Sequence, residues 1–159
     1  MFTYKILIIA IIVICIGLFG ACKVDTPTPI ISSADQIEAY LTANNLSAVA
    51  QETESGLHYI IEEESVGPHP AISSVVTVHY RGTLVDGTVF DSSYERGQPS
   101  SFSLGGVIAG WREGMLLFKR GGSGKLIVPF ELAYGSTGNG DIPPNTIIIF
   151  DIELFDFSQ

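Results

Sequence analysis

Asp91, Ser92 and His79 are the residue types a hydrolase would need, but Ser92 lies in no nucleophile elbow, so no triad is built from them. Gly121-Gly122-Ser123-Gly124-Lys125 has the look of a phosphate loop. It fails at both ends: Lys119 stands where the first glycine of that motif belongs, and Leu126 follows the lysine in place of Ser or Thr. The stretch from Gly135 to Gly140 matches no dinucleotide fingerprint and has no strand–turn–helix setting. His58, His69 and His79 show no metal-ligand spacing. Cys15 and Cys22 sit in or just after an apolar N-terminal run, leaving the rest of the chain without a thiol for a disulfide or a zinc site. The reading therefore calls for no metal and no cofactor. What remains is a set of rings: Tyr80, Phe102, Trp111 and Phe150 on strand or helix faces, with Tyr134 in a turn. By type and position alone these are core residues, Asp91 is a turn-capping acid, and Ile142-Pro143-Pro144 is a rigid entry to a strand.

The elements that must position those rings follow from periodicity. Leu57–Glu64, Ser74–Leu84, Phe90–Ser92, Ser101–Leu104, Ser123–Phe130 and Asn145–Phe157 read as strands or short extended pieces. In the second, Val76, Val78 and Tyr80 alternate with Thr77, His79 and Arg81. In the last, Ile148, Phe150, Ile152 and Leu154 alternate with Ile149, Asp151, Glu153 and Phe155. Asp86-Gly87 is a hairpin turn signal. Val107 to Phe118 reads as a short helix, with Trp111, Met115 and Phe118 at helical spacing. One helix among about five antiparallel strands implies an α+β domain, a curved five- to six-stranded antiparallel sheet wrapped around that helix, over residues 55–159. Upstream, residues 33–54 read as a short helix and connector. Ser33 and Gln36 fit a capping box, Ile37, Tyr40 and Leu41 share one face, and Asn44-Asn45 ends it. A helix this short is unstable alone, so it docks on the domain or on a partner subunit, which leaves monomer and dimer both open.

The first 21 residues form an address. One lysine, Lys5, precedes an unbroken apolar stretch from Ile6 to Phe19, and Gly20-Ala21 lead to Cys22. The small pair before a cysteine resembles a bacterial lipobox, which implies cleavage and lipidation at Cys22. Phe19 stands where lipoboxes usually carry Leu. An uncleaved anchor of about 20 residues and ordinary cleavage with release are the alternatives. The lipoprotein reading puts the protein in the cell envelope, tethered to a membrane, with Lys23 favouring the outer membrane facing the periplasm. Residues 22–32, with Pro27 and Pro29, read as a semi-extended tether. The net charge of −9 argues against nucleic acid as a ligand, because phosphate neutralisation needs clustered Lys and Arg.

Three segments carry a family resemblance. Residues 76–99 (VTVHYRGTLVDGTVFDSSYERGQP), 102–115 (FSLGGVIAGWREGM) and 126–154 (LIVPFELAYGSTGNGDIPPNTIIIFDIEL) resemble, in order and spacing, the motifs of FKBP-type peptidyl-prolyl cis/trans isomerases. The resemblance covers roughly residues 55–157. It implies a short helix on a curved antiparallel sheet and an aromatic pocket that receives proline. It assigns catalytic roles to Tyr80, Asp91, Tyr134 and Phe150, with Asp91 at the rim near Arg96. Substrate binding falls to Phe90, Phe102, Val107, Ile108, Trp111 and Ile142. Trp111 would be the floor, and Tyr134 and the Ile108 N–H would donate to substrate carbonyls. Proline-containing polypeptides are the implied partners and macrolide inhibitors a further ligand class. The alternative is a proline-binding or holdase chaperone module with little turnover. Three departures stand out: Ser100 replaces a common aromatic, the stretch from Gly105 to Val107 is shorter, and so is the Gly138–Ile142 loop, where Asn139 replaces a His or apolar residue. They imply a changed preference for the residue before proline and a changed affinity for macrolides.

Overall fold

The computed structural model describes residues 31–158; the expected leader, Cys22 and most of the tether lie outside them. Two long strands rich in β-branched and aromatic residues form the centre. β3 (Val75–Thr83) and β7 (Ile148–Ser158) run antiparallel, with Gly82 opposite Phe150 and Tyr80 opposite Ile152. β6 (Ser123–Val128) flanks β7 on its other side, followed by β2 (His58–Glu63) and the two-residue β1 (Gln51–Glu52). Both β4 (Val89–Ser92) and β5 (Ser100–Ser103) pair with the free edge of β3. The result is one seven-stranded antiparallel sheet, an α+β fold as expected. Its count exceeds the expected five to six because the tiny β1 joins the edge.

One face of the sheet holds the main core. Val76, Val78, Tyr80, Leu126, Ile148, Phe150, Ile152 and Leu154 point into it, as the alternation requires. Strict alternation breaks near the end of β7. The register slips between Thr77 and Val78 so that Phe155 is skipped, which is the signature of a β-bulge. Parity shifts by one, Phe157 turns inward and Phe155 is left exposed.

α2 (Ala109–Gly114) lies on this face, continued by a 3-10 turn over Met115–Leu117. It is shorter than the expected Val107–Phe118, because Val107 and Phe118 are both extended. Gly110 and the terminal Gly114 weaken a helix of this length, but they set its depth. A Cβ on Gly110 would stand 2.3 Å from Val128 Cγ1, and one on Gly114 2.5 Å from Leu126 Cδ1. The helix backbone rests directly on β6, with Trp111, Met115 and Phe118 buried beside it.

On the opposite face α1 (Ser33–Ala43) covers an apolar patch. Ile37 and Leu41 pack there against Ile60, Ile127, Ile147 and Ile149, so the helix docks on its own domain. Its N-cap is Ser32, not Ser33. Ser32 Oγ accepts from the Asp35 N–H at 3.2 Å and donates to the Asp35 carboxylate at 2.7 Å, so the cap is set one residue earlier, without the reciprocal backbone bond of a capping box among the described hydrogen bonds. Gln36 does not close it; its side chain reaches the chain ahead of β7. Among the described residues no helix is long and apolar enough to cross a membrane.

The glycine contact gives a direct test. Gly110→Ala gains about 1 kcal/mol in helix propensity, but overpacking against a stiff β-branched side chain costs about 1–3 kcal/mol. A lower urea midpoint with an unchanged slope is the expected outcome. A variant as stable as the parent would show that the helix does not sit this close to β6.

Candidate active site

Trp111 is on the buried side of α2, and three rings meet it nearly at right angles. Tyr80 from β3 is 5.3 Å away between centroids, Phe102 from β5 is 5.4 Å and Phe150 from β7 is 5.2 Å. Edge-to-face packing of this kind is a favoured quadrupole geometry. Phe90 from β4 extends the set, 5.6 Å from Phe150 and perpendicular to it. That contact depends on Gly82, where a Cβ would stand 2.5 Å from the Phe90 ring and 3.0 Å from that of Phe150. Glycine within a strand marks such a close approach.

These rings wall an open hollow of about 360 Å³, lined by Tyr80, Phe90, Asp91, Phe102, Gly106, Val107, Ile108, Trp111, Tyr134 and Phe150. The size suits a small apolar group and lies at the lower end of ligand pockets. Tyr80, Trp111 and Phe150 are buried, whereas Phe90, Phe102, Val107, Ile108 and Tyr134 are half-buried around the mouth. Ile108 is the residue before α2, with extended backbone (ψ 153°) and no side chain capping the helix start. Trp111 Nε1 is buried without a hydrogen-bond partner among the described residues.

Polar groups gather on one rim. Tyr80 Oη donates to Asp91 Oδ2, Arg96 Nη1 donates to Asp91 Oδ1 at 2.5 Å, and Arg96 Nη2 donates to Tyr80 Oη at 2.8 Å. Arg96 also donates to Ser100 Oγ at 3.2 Å. Burial, reinforced by the neighbouring carboxylate, pushes the Tyr80 phenol up to about 12. Burial also works to raise the Asp91 carboxyl, but the hydrogen bonds from Tyr80 and Arg96 and the guanidinium charge outweigh it and hold the group below its usual value. Arg96 is raised by its bond to Asp91. Across the neutral range the triad is therefore an ionised Asp, a neutral Tyr and a cationic Arg.

Of the ten residues the sequence assigns to the pocket, nine line the hollow. Ile142 does not. Asn139 and Ile142 exchange two backbone hydrogen bonds of 2.9 Å, which folds the short loop back and turns Ile142 into the core. Gly82 and Gly106 escaped sequence reasoning; a glycine inside the alternating β3 pattern was the available signal for the first. No group of His, Cys, Asp or Glu among the described residues could hold a metal.

Comparison with known proteins places this geometry. Residues 67–155 match the family described as FKBP-type peptidyl-prolyl cis-trans isomerase. The chain is 48% identical over 117 residues to the FKBP-type peptidyl-prolyl cis-trans isomerase FkpA of Aeromonas hydrophila, covering 74% of this chain and 44% of that protein. It is 52% identical over 102 residues to FkpA of Escherichia coli K12, covering 64% of this chain and 38% of that protein. The chain thus spans less than half the length of these curated relatives. Among solved structures, FkpA from Escherichia coli superposes with a TM-score of 0.71 at 43% identity, over 79% of this chain and 61% of that one. A peptidyl-prolyl cis-trans isomerase from Pseudomonas syringae pv. tomato DC3000 gives 0.70 at 32% identity, over 80% and 94%. With the family match spanning more than half of the sequence and the same fold recurring in a solved isomerase of matched length, the chain belongs to the FKBP-type peptidyl-prolyl cis-trans isomerases.

Proposed function

We propose that this chain catalyses cis/trans rotation of X-Pro bonds in polypeptides, without covalent chemistry, in the hollow floored by Trp111. The observation that carries the reading is the convergence of Tyr80, Phe102, Trp111 and Phe150 on one proline-sized space. The barrier to rotation is about 18–20 kcal/mol and arises from amide resonance. At the twisted transition state that resonance is lost and the carbonyl is less polar. A ring-walled, water-poor space favours the twisted form over the planar amide that water solvates well. A million-fold acceleration needs about 8 kcal/mol of such differential stabilisation.

Roles follow from position. The edge-packed indole of Trp111 supports the prolyl ring, and Phe90, Phe102, Val107 and Phe150 wall it. Tyr134 and the Ile108 N–H, at the mouth, donate to substrate carbonyls, where preorganised donors act most strongly. Asp91 places its carboxylate beside the rotating carbonyl carbon, and Tyr80 and Arg96 fix that carboxylate. With Ser100 on the rim, the wall against the residue before proline is thin and polar. Macrolide inhibitors fit the same space.

The extended organisation is part of the proposal. Residues 1–21 direct export, Cys22 carries lipid, 22–32 tether, 33–54 form the helix and connector, and 55–159 the isomerase domain. Gly20-Ala21-Cys22 after an apolar run supports a membrane-anchored lipoprotein of the cell envelope, facing the periplasm from the outer membrane. The docking of α1 on its own sheet supports a monomer.

Turnover of an X-Pro peptide by the chain lacking its leader is the first expected outcome; a rate equal to buffer would leave only a proline-binding or holdase role. Tyr134→Phe keeps the ring and deletes a donor, so kcat/KM should fall about tenfold, the worth of one hydrogen bond. Asp91→Ala should fall at least as far, and an unchanged rate in either variant would remove that residue from the site. In the pH profile, the Asp91 carboxylate stays ionised until the pH drops through its lowered value, and Tyr80 stays neutral until pH rises toward about 12. The rate is therefore flat through the neutral range, and a titration near pH 7 would contradict the rim assignment. Intact mass of the membrane-extracted protein should show acyl chains on a new N-terminus at Cys22; a mass equal to the unprocessed chain would refute the lipoprotein assignment.

A further inference from the structure

We propose that Gln36 of α1 is a positioning residue for the pocket, holding the loop of residues 134–147 that joins Tyr134 to the Phe150 strand. The proposal rests on the isomerase reading of the hollow and adds a control point on the far side of the sheet.

One end of this loop is Tyr134, which lines the hollow, and the other runs into β7, whose Phe150 lines it too. The loop carries its own ties. Gly138 N–H donates to Tyr134 O at 3.2 Å, and Asn145 N–H donates to Gly135 O at 2.9 Å, directly behind Tyr134. Asn145 has φ 53°, the left-handed turn conformation that asparagine tolerates better than other non-glycine residues, and it ends the loop's tight segment just before the approach to β7.

Gln36 ties this turn to α1. Its Nε2 donates to Asn145 O at 2.9 Å and its Oε1 accepts from Ile147 N–H at 3.3 Å. One carboxamide thus meets a carbonyl and an N–H two residues apart, as a neighbouring strand would. The remaining Nε2 proton goes to Ile31 O at 3.1 Å. Among the described residues, the side-chain hydrogen bonds that enter this loop from elsewhere come from Gln36. Its backbone cannot drift, because the next residue, Ile37, is buried against Ile147 and Ile149. The path to the pocket is short: Gln36 to Asn145, Asn145 to Gly135, and Gly135 to the adjoining Tyr134. Glutamine alone satisfies both atoms. Glutamate at this position accepts but cannot donate, and methionine fills the space but does neither.

A merely stabilising role for α1 predicts something different, so the test pairs two kinds of variant in the full chain purified in detergent. Gln36→Met and Gln36→Glu cut the clamp. Ser32→Ala weakens the helix cap and leaves the clamp in place. Trp111, the single tryptophan of the chain, reports peptide binding to the hollow by fluorescence without requiring turnover. In Gln36→Met, amide exchange should quicken at Ile147 and across 135–147 while β3 stays protected. Both kcat/KM and peptide affinity should fall about three- to tenfold, the range expected for losing one or two hydrogen bonds. Ser32→Ala should lower Tm and leave both unchanged. The proposal is overturned if Gln36→Met keeps full affinity for the peptide, or if Ser32→Ala loses as much as Gln36→Met at equal Tm. Should the parent chain bind the peptide but not turn it over, the isomerase reading fails, and exchange and affinity still decide the clamp.

Discussion

The perpendicular packing of three rings on the Trp111 indole is the constraint to which the rest of the molecule answers. The rings come from β3, β5 and β7, so the pocket exists only while three strands and one helix hold their spacing to a fraction of an ångström. Each such aromatic pair adds about 0.5–1.5 kcal/mol beyond burial, but its geometric demand matters more than its energy. That demand explains two glycines in a helix of six residues. Gly110 and Gly114 lower α2 onto β6 and so bring the indole to the three rings, at the expense of helix propensity. Gly82 performs the same service in β3, removing the one side chain that would push Phe90 away from Phe150.

Charge is kept to the rim for a related reason. On the proposed function, a ring-walled hollow discriminates between a planar and a twisted amide only if its floor is apolar, and an ionised group there would hold water. Asp91, Arg96 and Tyr80 satisfy one another at the edge, with burial and mutual hydrogen bonds fixing each in one protonation state. The fold thus separates a neutral floor from a charged lip. Ser100 draws Arg96 further along that lip.

Much of this was legible in the sequence, and the parts that were not share a cause. Alternation along Val76-Val78-Tyr80 and Ile148-Phe150-Ile152 names the inward face, because one face of the sheet is a continuous core. The ordered motifs name the rings, and nine of ten residues so assigned line the hollow. Non-local choices were hidden. Whether Ser32 or Ser33 caps α1 depends on Gln36 having another partner more than a hundred residues away. The inward turn of Phe157 depends on a bulge at Phe155 that only the pairing with β3 reveals. Ile142 looked like a wall of the pocket and became core because Asn139 bonds back to it. Gly82 carried a signal, glycine in mid-strand, whose meaning appears only when two phenylalanines close over it.

The residues where the chain enters β7 belong alternately to two neighbourhoods. Ile147 and Ile149 serve the helix side, while Ile148 and Phe150 serve the ring side. Anyone splicing the catalytic portion of a relative onto this N-terminal segment would therefore meet a hidden junction far from the splice point. A chimera that joined cleanly before β2 would still mismatch at the start of the last strand unless both isoleucines travelled with the helix.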